Sequence, residues 1–143
     1  MRAEAFIDTN ILVYAISSDR ADAAKASAAL RLLEDVDYGL STQVMSEFYV
    51  TATQKIARPL SHEKATDFLH KLRRFPVVDF DAALVFEAID LEHQYRISYW
   101  DAAIVAAAQR LQASTIYSED LNHGQLYGNS RVTNPFRTTP VKR

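Results

Sequence analysis

The sequence predicts an α/β domain whose parallel β-sheet has four to five strands and carries helices on both faces. Short apolar runs alternate with longer segments in which apolar residues recur at helical spacing, a pattern typical of a parallel sheet. Only three glycines interrupt it, and no linker, repeat or low-complexity stretch divides the chain. Because 143 residues are most economically one domain, we assign residues 1–143 to a single domain.

Each predicted element has a local reason in the sequence. Ser61, Asp81 and Ser98 are of the types that cap helix N-termini, so each predicts a helix start. Pro59 ends the preceding helix, and the run 102–108 is apolar on every side, which predicts a centrally buried helix. In chain order the predicted elements are strand 4–7, helices 10–17 and 19–36, strand 38–41, helix 42–57, a helix from 61, strand 76–80, helices from 81 and 98, strand 114–117 and a candidate fifth strand, 131–133.

The composition excludes several classes of protein. The chain has no cysteine, so disulfides and thiolate metal sites are excluded, and this suits a reducing cytoplasm. No signal-peptide architecture opens the chain, and no apolar run approaches the roughly 18 residues of a membrane span. We therefore expect a cytoplasmic protein that has no membrane association.

Positive charge is local in this chain and does not dominate it. The net charge of −2 gives no overall attraction to nucleic acid, so any such binding must rest on local patches. Two basic groups are candidates for RNA contact: Lys71, Arg73 and Arg74 in one, and Arg131 and Arg137 in the other. The alternative interpretation of each group is a solvated face or tail.

Four acidic residues follow predicted strands or lie early in predicted helices: Asp8, Glu47, Asp101 and Asp120. The intervals between them are 39, 54 and 19 residues, so no single local motif accounts for them. Strand ends and adjacent helix starts of a parallel sheet converge on one crevice. Carboxylates gathered there repel one another unless a cation lies between them, and Mg²⁺ and Mn²⁺ prefer carboxylate oxygen. The pattern therefore points to metal-assisted phosphoester chemistry.

Two of these acids also have a purely structural interpretation. Asp8 is a favoured N-cap residue, and Asp101 stands three residues after Ser98 in the S-x-x-D form of a capping box. Capping and metal binding are compatible, because a carboxylate has two oxygens.

The other two acids depend on their neighbours. Glu47 would be half-buried inside a helix, where a carboxylate is costly without a partner. Asp120 follows Glu119, and either can be the fourth acid. The hydroxyls of Thr9 and Ser118 either position ligands or cap helices.

Other chemistries lack their signatures. The four histidines show no metal-ligand pairing, and the chain has neither a glycine-rich phosphate loop nor a G-x-S-x-G nucleophile elbow. A haloacid dehalogenase-type phosphatase needs a second Asp at the position of Asn10, and a receiver domain needs a Lys where Ser118 stands.

Four segments together resemble the PIN domain family, and most closely its VapC-type toxins of bacterial toxin–antitoxin pairs. They are Phe6-Ile-Asp8-Thr-Asn10, Ser46-Glu47-Phe48, the stretch 98–108 that begins Ser-Tyr-Trp-Asp101, and the stretch 117–124 that begins Tyr-Ser-Glu-Asp120. Each is weak alone, whereas four in this order are specific, and the resemblance runs from residue 6 to residue 132.

The resemblance implies a Rossmann-like fold and a Mg²⁺- or Mn²⁺-dependent endoribonuclease. The family's acidic quartet falls on Asp8, Glu47, Asp101 and Asp120, with supporting positions at Thr9, Asn10, Ser118 and Glu119. It also implies a homodimer that a small VapB-like antitoxin silences by entering the acidic crevice. The alternative is a PIN-like module that binds RNA or protein without catalysis; such modules usually lack part of the quartet.

Overall fold

Six strands form one mostly parallel sheet in the computed structural model, which describes residues 1–137. The α/β class and the helices on both faces are confirmed. The strands are β1 (Ala5–Ile7), β2 (Tyr38–Ser41), β3 (Val77–Val78), β4 (Thr115–Tyr117), β5 (Leu126–Tyr127) and β6 (Ser130–Thr133). The helices are α1 (Thr9–Ile16), α2 (Ala23–Asp35), α3 (Thr42–Val50), α4 (His62–Leu72), α5 (Ala82–Tyr95) and α6 (Tyr99–Arg110).

The strand order places β1 and β4 side by side at the centre of the sheet. The order is β3-β2-β1-β4-β6-β5, and every neighbouring pair is parallel except β5 with β6. Ile7 lies opposite Tyr117 at the ends of these two central strands. The residues that follow them, Asp8 and Ser118, therefore leave the sheet next to each other.

Helix α6 is the buried helix that the sequence predicts. All seven residues from 102 to 108 are buried, and five of them are alanines. Small side chains let the helix approach the sheet closely, and α6 contacts β1, β2 and β6 while α5 packs against it. This packing fixes where the N-terminus of α6, with Asp101 in its first turn, stands relative to the strand ends.

The predicted helix caps are confirmed. Ser61 Oγ accepts from the backbone N–H of Lys64 at 3.1 Å, and Asp81 Oδ1 accepts from that of Leu84 at 2.9 Å. Ser98 Oγ accepts from the backbone N–H of Asp101 at 3.1 Å. Local capping chemistry therefore sets these helix starts.

The element boundaries differ from the prediction in three places. The helix predicted over 19–36 begins as a 3₁₀ turn, Arg20–Asp22, and the helix predicted over 42–57 ends in a π-helical segment, Thr51–Lys55. The sheet has six strands where four to five were predicted, because β5 has only two residues. A two-residue loop that starts with Gly128, at φ 57°, joins β5 to β6, and such a glycine is a recognisable hairpin signal.

Within residues 1–137, no helix combines the length and the apolar character that crossing a bilayer requires.

Gly39 should not tolerate a side chain, because β2 passes close to its neighbours there. An added Cβ would lie 2.6 Å from Leu111 Cδ1 and 2.9 Å from the carbonyl oxygen of Pro76, which accepts from the N–H of Leu40 at 3.0 Å. We expect Gly39→Ala to lower the free energy of unfolding, measured in urea, by about 1–3 kcal/mol.

Gly124→Ala is the contrast for this measurement. Gly124 has φ 85° and no atom within 4 Å of an added Cβ, so this variant reports backbone strain alone, at about 1–2 kcal/mol. An unchanged free energy of unfolding in Gly39→Ala would contradict the close packing of β2.

Candidate active site

Asp8 and Ser118 form the centre of the site at the carboxyl ends of β1 and β4. Ser118 Oγ donates to Asp8 Oδ2 at 2.7 Å, and both side chains are buried. The backbone N–H of Asp8 donates to Tyr117 O at 3.0 Å, which continues the strand pairing to this point. The sheet therefore holds this carboxylate in a fixed position.

Asp8 is an N-cap and a buried carboxylate at the same time. Its Oδ1 accepts from the backbone N–H of Thr9 at 2.7 Å, which caps α1. Burial raises the pKa of Asp8 from 3.8 to about 6, although the hydrogen bonds from Ser118 and Thr9 oppose the rise. The negative charges of Asp120 and Glu47 raise the pKa further.

Glu47 is held toward this centre from two sides. Thr9 Oγ1 donates to Glu47 Oε1 at 2.8 Å, and Gln43 Nε2 donates to Glu47 Oε2 at 3.2 Å. Gln43 Nε2 also lies 3.4 Å from the carbonyl oxygen of Trp100, so it links α3 to the start of α6. Gln43 is not among the predicted site residues, although its spacing of four residues from Glu47 puts both on one helix face.

Asp101 lies in the first turn of α6 and is half-buried. Burial raises its pKa, the hydrogen bond with Ser98 lowers it, and the charges of Asp120 and Glu47 raise it again. Since the same two acids act on both Asp8 and Asp101, the four carboxylates occupy one electrostatic neighbourhood. We call Asp8, Glu47, Asp101 and Asp120 the acidic cluster.

Asp120 and Glu119 have different environments although they are adjacent. Asp120 is exposed, and its Oδ2 accepts from Asn10 Nδ2 at 3.1 Å. Asn10 Oδ1 accepts from the backbone N–H of Glu119 at 3.1 Å, so one amide side chain fixes the turn after β4.

Glu119 forms an ion pair with a neighbouring lysine. Its carboxylate forms an ion pair with Lys25 and accepts from the Tyr14 hydroxyl at 2.9 Å. Lys25 Nζ also lies 4.8 Å from the centre of the Tyr14 ring. The positive charge of Lys25 therefore compensates the charge of Glu119, whereas the charge of Asp120 raises the pKa of Asp8 and Asp101.

The basic group Lys71, Arg73 and Arg74 lies on the opposite side of the sheet from the acidic cluster, near the amino ends of the parallel strands. It comes shortly before β3 in the chain, and therefore near the point where that strand begins. Lys71 and Arg74 line a hollow together with Tyr38, the first residue of β2. The structure does not bring this group to the acidic cluster.

The two residues of the second basic group lie at different ends of the strands. Arg131 lies opposite Thr115, the first residue of β4, and therefore also near the amino ends of the parallel strands. Arg137 follows the carboxyl end of β6, next to Phe136, whose ring packs 4.9 Å from that of Tyr14. Of the five basic candidates, Arg137 is the one on the same side as the acidic cluster.

A cleft of about 530 Å³ opens beside the acidic cluster, and we call it the acidic cleft. Its walls come from the start of α1, the end of α3 and the turn after β4. Its lining includes three acids and a mixed apolar and basic set: Glu47, Asp120 and Asp22, with Val13, Lys55 and Ile56. An extended chain that entered the cleft would thus meet carboxylates, apolar carbon and the ammonium group of Lys55.

The donor set fits a hard divalent cation. The cluster offers carboxylate and hydroxyl oxygens, and no histidine lies among its hydrogen-bond partners in residues 1–137. In the same residues no group of three or more His, Asp or Glu side chains is arranged to hold a metal ion. The fit therefore rests on the chemistry of the donors, since Mg²⁺ keeps several waters and can bind through one or two carboxylates.

The fold and the cluster together define a mostly parallel α/β domain with an acidic centre at the carboxyl edge of its sheet. A family model described as the PIN domain matches residues 5–129, which is most of the chain. The chain therefore belongs to the PIN domain family, and the resemblance seen in the sequence is confirmed. No curated protein sequence matches the chain.

Several solved structures share the fold. A toxin–antitoxin complex from Klebsiella pneumoniae matches with TM-score 0.68 and 20% identity over 92% of this chain and 98% of that one. VapC20, a sarcin-ricin loop cleaving toxin of Mycobacterium tuberculosis, matches with TM-score 0.61 and 19% identity over 81% and 89%. VapBC2 from Rickettsia felis, bound to promoter DNA, gives TM-score 0.59 and 21% identity over 91% and 97%. At sequence identities this low, the likeness establishes a shared fold and nothing more.

The raised pKa of Asp8 predicts how the metal-free protein responds to pH. A carboxyl with a raised folded pKa binds more protons when folded, so stability is lost as pH rises from 3.8 through about 6. A shift of this size corresponds to about 3 kcal/mol. Asp8→Asn keeps the shape and the cap but has no charge to bury. We expect it to melt higher than the wild type at neutral pH, with chelator present, and to lose less stability across this window.

Asp81→Asn is the control, because the pKa of Asp81 is shifted in the opposite direction to that of Asp8. The hydrogen bonds from Leu84 and Arg110 lower the pKa of Asp81, so its contribution to stability is present at neutral pH and lost as pH falls. This variant should not melt higher than the wild type at neutral pH. If Asp8→Asn melted lower than the wild type throughout, the Asp8 charge would not be costly in the metal-free protein, and the raised pKa would be contradicted.

Proposed function

We propose that this protein is a metal-dependent endoribonuclease and the toxin component of a type II, VapBC-like toxin–antitoxin pair. The observation that carries the proposal is the hydrogen-bond network that connects the segments of Asp8, Glu47, Asp101 and Asp120. Ser118 links Asp8 to the turn of Asp120, Thr9 links the start of α1 to Glu47, and Gln43 links Glu47 to the start of α6. A helix cap explains Asp8 and Asp101 one at a time. It does not explain why all four acids stand in one neighbourhood.

The similar structures support the toxin role, because their fold is that of this chain. One of them is a toxin that cleaves the sarcin-ricin loop, and others are complexes of a toxin with its antitoxin. The PIN domain match covers the segments that carry the acidic cluster. An endoribonuclease that is silenced by a partner is the function that joins these observations.

In the proposed site Asp8 and Asp101 hold Mg²⁺ or Mn²⁺ directly, and Glu47 and Asp120 hold it directly or through water. When bound, the cation lowers the pKa of a coordinated water and neutralises charge on the scissile phosphate. Ser118 and the N–H of Thr9 fix the Asp8 carboxylate, which removes rotational freedom before the substrate arrives.

The other supporting side chains orient the remaining acids. The Thr9 hydroxyl and the Gln43 amide fix Glu47, and the Asn10 amide fixes Asp120. Attack by water in line with the leaving oxygen requires no histidine base. Single-stranded or looped RNA is the proposed substrate, since its exposed backbone can reach the acidic cleft.

The proposed setting follows from the family resemblance. We propose a cytoplasmic homodimer and a small VapB-like antitoxin whose segment brings Arg or Lys to the acidic cluster. Such a cation would form charge-assisted hydrogen bonds with the carboxylates and displace the metal.

Metal-dependent cleavage is the first test. Purified protein should cut single-stranded RNA, stop with a chelator and recover with Mg²⁺ or Mn²⁺. Asp8→Asn and Asp101→Asn should each lower the rate by about 10³-fold or more, since each removes a carboxylate that would hold the metal. Asp67→Asn, an exposed change on α4, is the control and should cut as the wild type does.

Equal cutting by the wild type and both site variants would mean a contaminating nuclease or a different site. Binding of RNA without any cleavage, under every metal tried, would favour the non-catalytic module instead.

A second test separates the two candidates for the fourth acid. Asp120→Asn should reduce the rise in melting temperature that Mn²⁺ produces, because the variant binds the ion less tightly. Glu119→Gln should leave that rise intact and lower the metal-free melting temperature, since it breaks the ion pair with Lys25. The reverse pattern would assign the fourth acid to Glu119.

A further inference from the structure

The acidic cleft extends beyond the acidic cluster along one face of α3. Glu47, Thr51 and Lys55 are spaced four residues apart and all line the cleft. The last two belong to the π-helical segment Thr51–Lys55, whose wider turn carries this row onward from the end of α3. The row therefore leads from a carboxylate of the cluster to a lysine.

Lys55 is the cation that this cleft offers to an anionic ligand. It is exposed, and within residues 1–137 it makes no ion pair. Lys25, which lies nearby on α2, is paired with Glu119. The basic group at residues 71–74 lies near the amino ends of the strands, on the opposite side of the sheet from the cleft. A phosphate in the cleft would thus meet Lys55.

Apolar residues line the cleft together with Lys55. They are Val13 on α1 and Ile56 and Ala57 after the π-helical segment, and the acid Asp22 lines the cleft as well. A carboxylate-rich surface repels a polyanion, whereas a lysine beside apolar carbon suits the two halves of a nucleotide. The phosphate pairs with the ammonium group, and the ribose and base cover the apolar wall.

We propose that this part of the cleft is a subsite for the nucleotide adjacent to the scissile phosphate. Lys55 contacts the phosphate of that nucleotide, and Val13 and Ile56 contact its ribose and base. The subsite rests on the proposed ribonuclease function and adds the contact that holds RNA against the repulsion of the acidic cluster.

The test uses a short fluorescein-labelled oligouridylate and the full protein. Lys55→Gln should raise KM by about tenfold and leave kcat unchanged, because the contact is the same in the ground state and the transition state. The slope of log affinity against log salt should fall by about 0.7, the value for one phosphate contact on a single strand. Lys55→Arg should restore both quantities.

Lys64→Gln is the matched control. Lys64 is equally exposed, lies in the first turn of α4 and does not line the cleft, so its loss changes the net charge by the same amount. It should change neither KM nor the salt slope.

The apolar half of the subsite has its own readout. Val13→Asn should weaken binding of oligouridylate but not of an abasic strand of the same length, since the latter has no base to cover the wall. Lys55→Gln should weaken binding of both strands.

The outcomes separate this subsite from the proposed function. Affinity measured with chelator present tests the Lys55 contact even if no cleavage occurs. A wild type that binds but never cuts would end the ribonuclease proposal and leave the cleft as an RNA-binding site with no scissile phosphate. Unchanged KM and salt slope in Lys55→Gln would overturn the subsite while cleavage stands. Weakened antitoxin binding with unaffected RNA binding in that variant would overturn it in favour of a protein segment in the cleft.

Discussion

The hydrogen bond between Ser118 and Asp8 is the contact on which the geometry of the site depends. The buried Ser118 hydroxyl donates to Asp8 and accepts from the backbone N–H groups of Asp120 and Leu121, at 3.1 and 3.3 Å. One oxygen atom thus links the end of β1 to the turn that carries Asp120. A buried carboxylate without such a donor would cost several kcal/mol. The same hydroxyl that makes Asp8 tolerable in the interior therefore also positions the turn of Asp120.

The fold offsets part of the cost of the negative charge that it brings together. Asp8 caps α1 and Asp101 occupies the first turn of α6, so both lie where the unpaired N–H groups of a helix favour an anion. Glu47 lies further along α3 and has no such help, and it is the acid with two side-chain donors, Thr9 and Gln43. The capping and metal-site interpretations are therefore compatible. The helix starts reduce the cost of these two anions without removing it, since the pKa of Asp8 and of Asp101 stays raised, and a bound cation would reduce that cost further.

Local signals predicted the fold well, and contacts between distant segments account for most of what the sequence did not predict. The caps at Ser61, Asp81 and Ser98 need only their own helices. Which of Glu119 and Asp120 faces the cluster depends on Lys25, which lies 94 residues from Glu119 and gives no local signal. The π-helical segment is held by a bond from the N–H of Leu60 to Ala52 O, which local spacing does not reveal. The position of Arg73 and Arg74 away from the acidic cluster follows from the sequence, however, because residues shortly before a parallel strand lie near the amino ends of the strands.

The separation of the acidic residues along the chain has a consequence for synthesis. A nascent chain that has not reached β4 already contains Asp8, Glu47 and Asp101, but it lacks both Ser118 and Asp120. Asp8 then has neither its buried donor nor its neighbouring strand, and the central pair of the sheet cannot form. Whatever chemistry the site performs is a property of the completed sheet and of no shorter fragment. The first 114 residues are therefore synthesised before the acidic cluster can be complete.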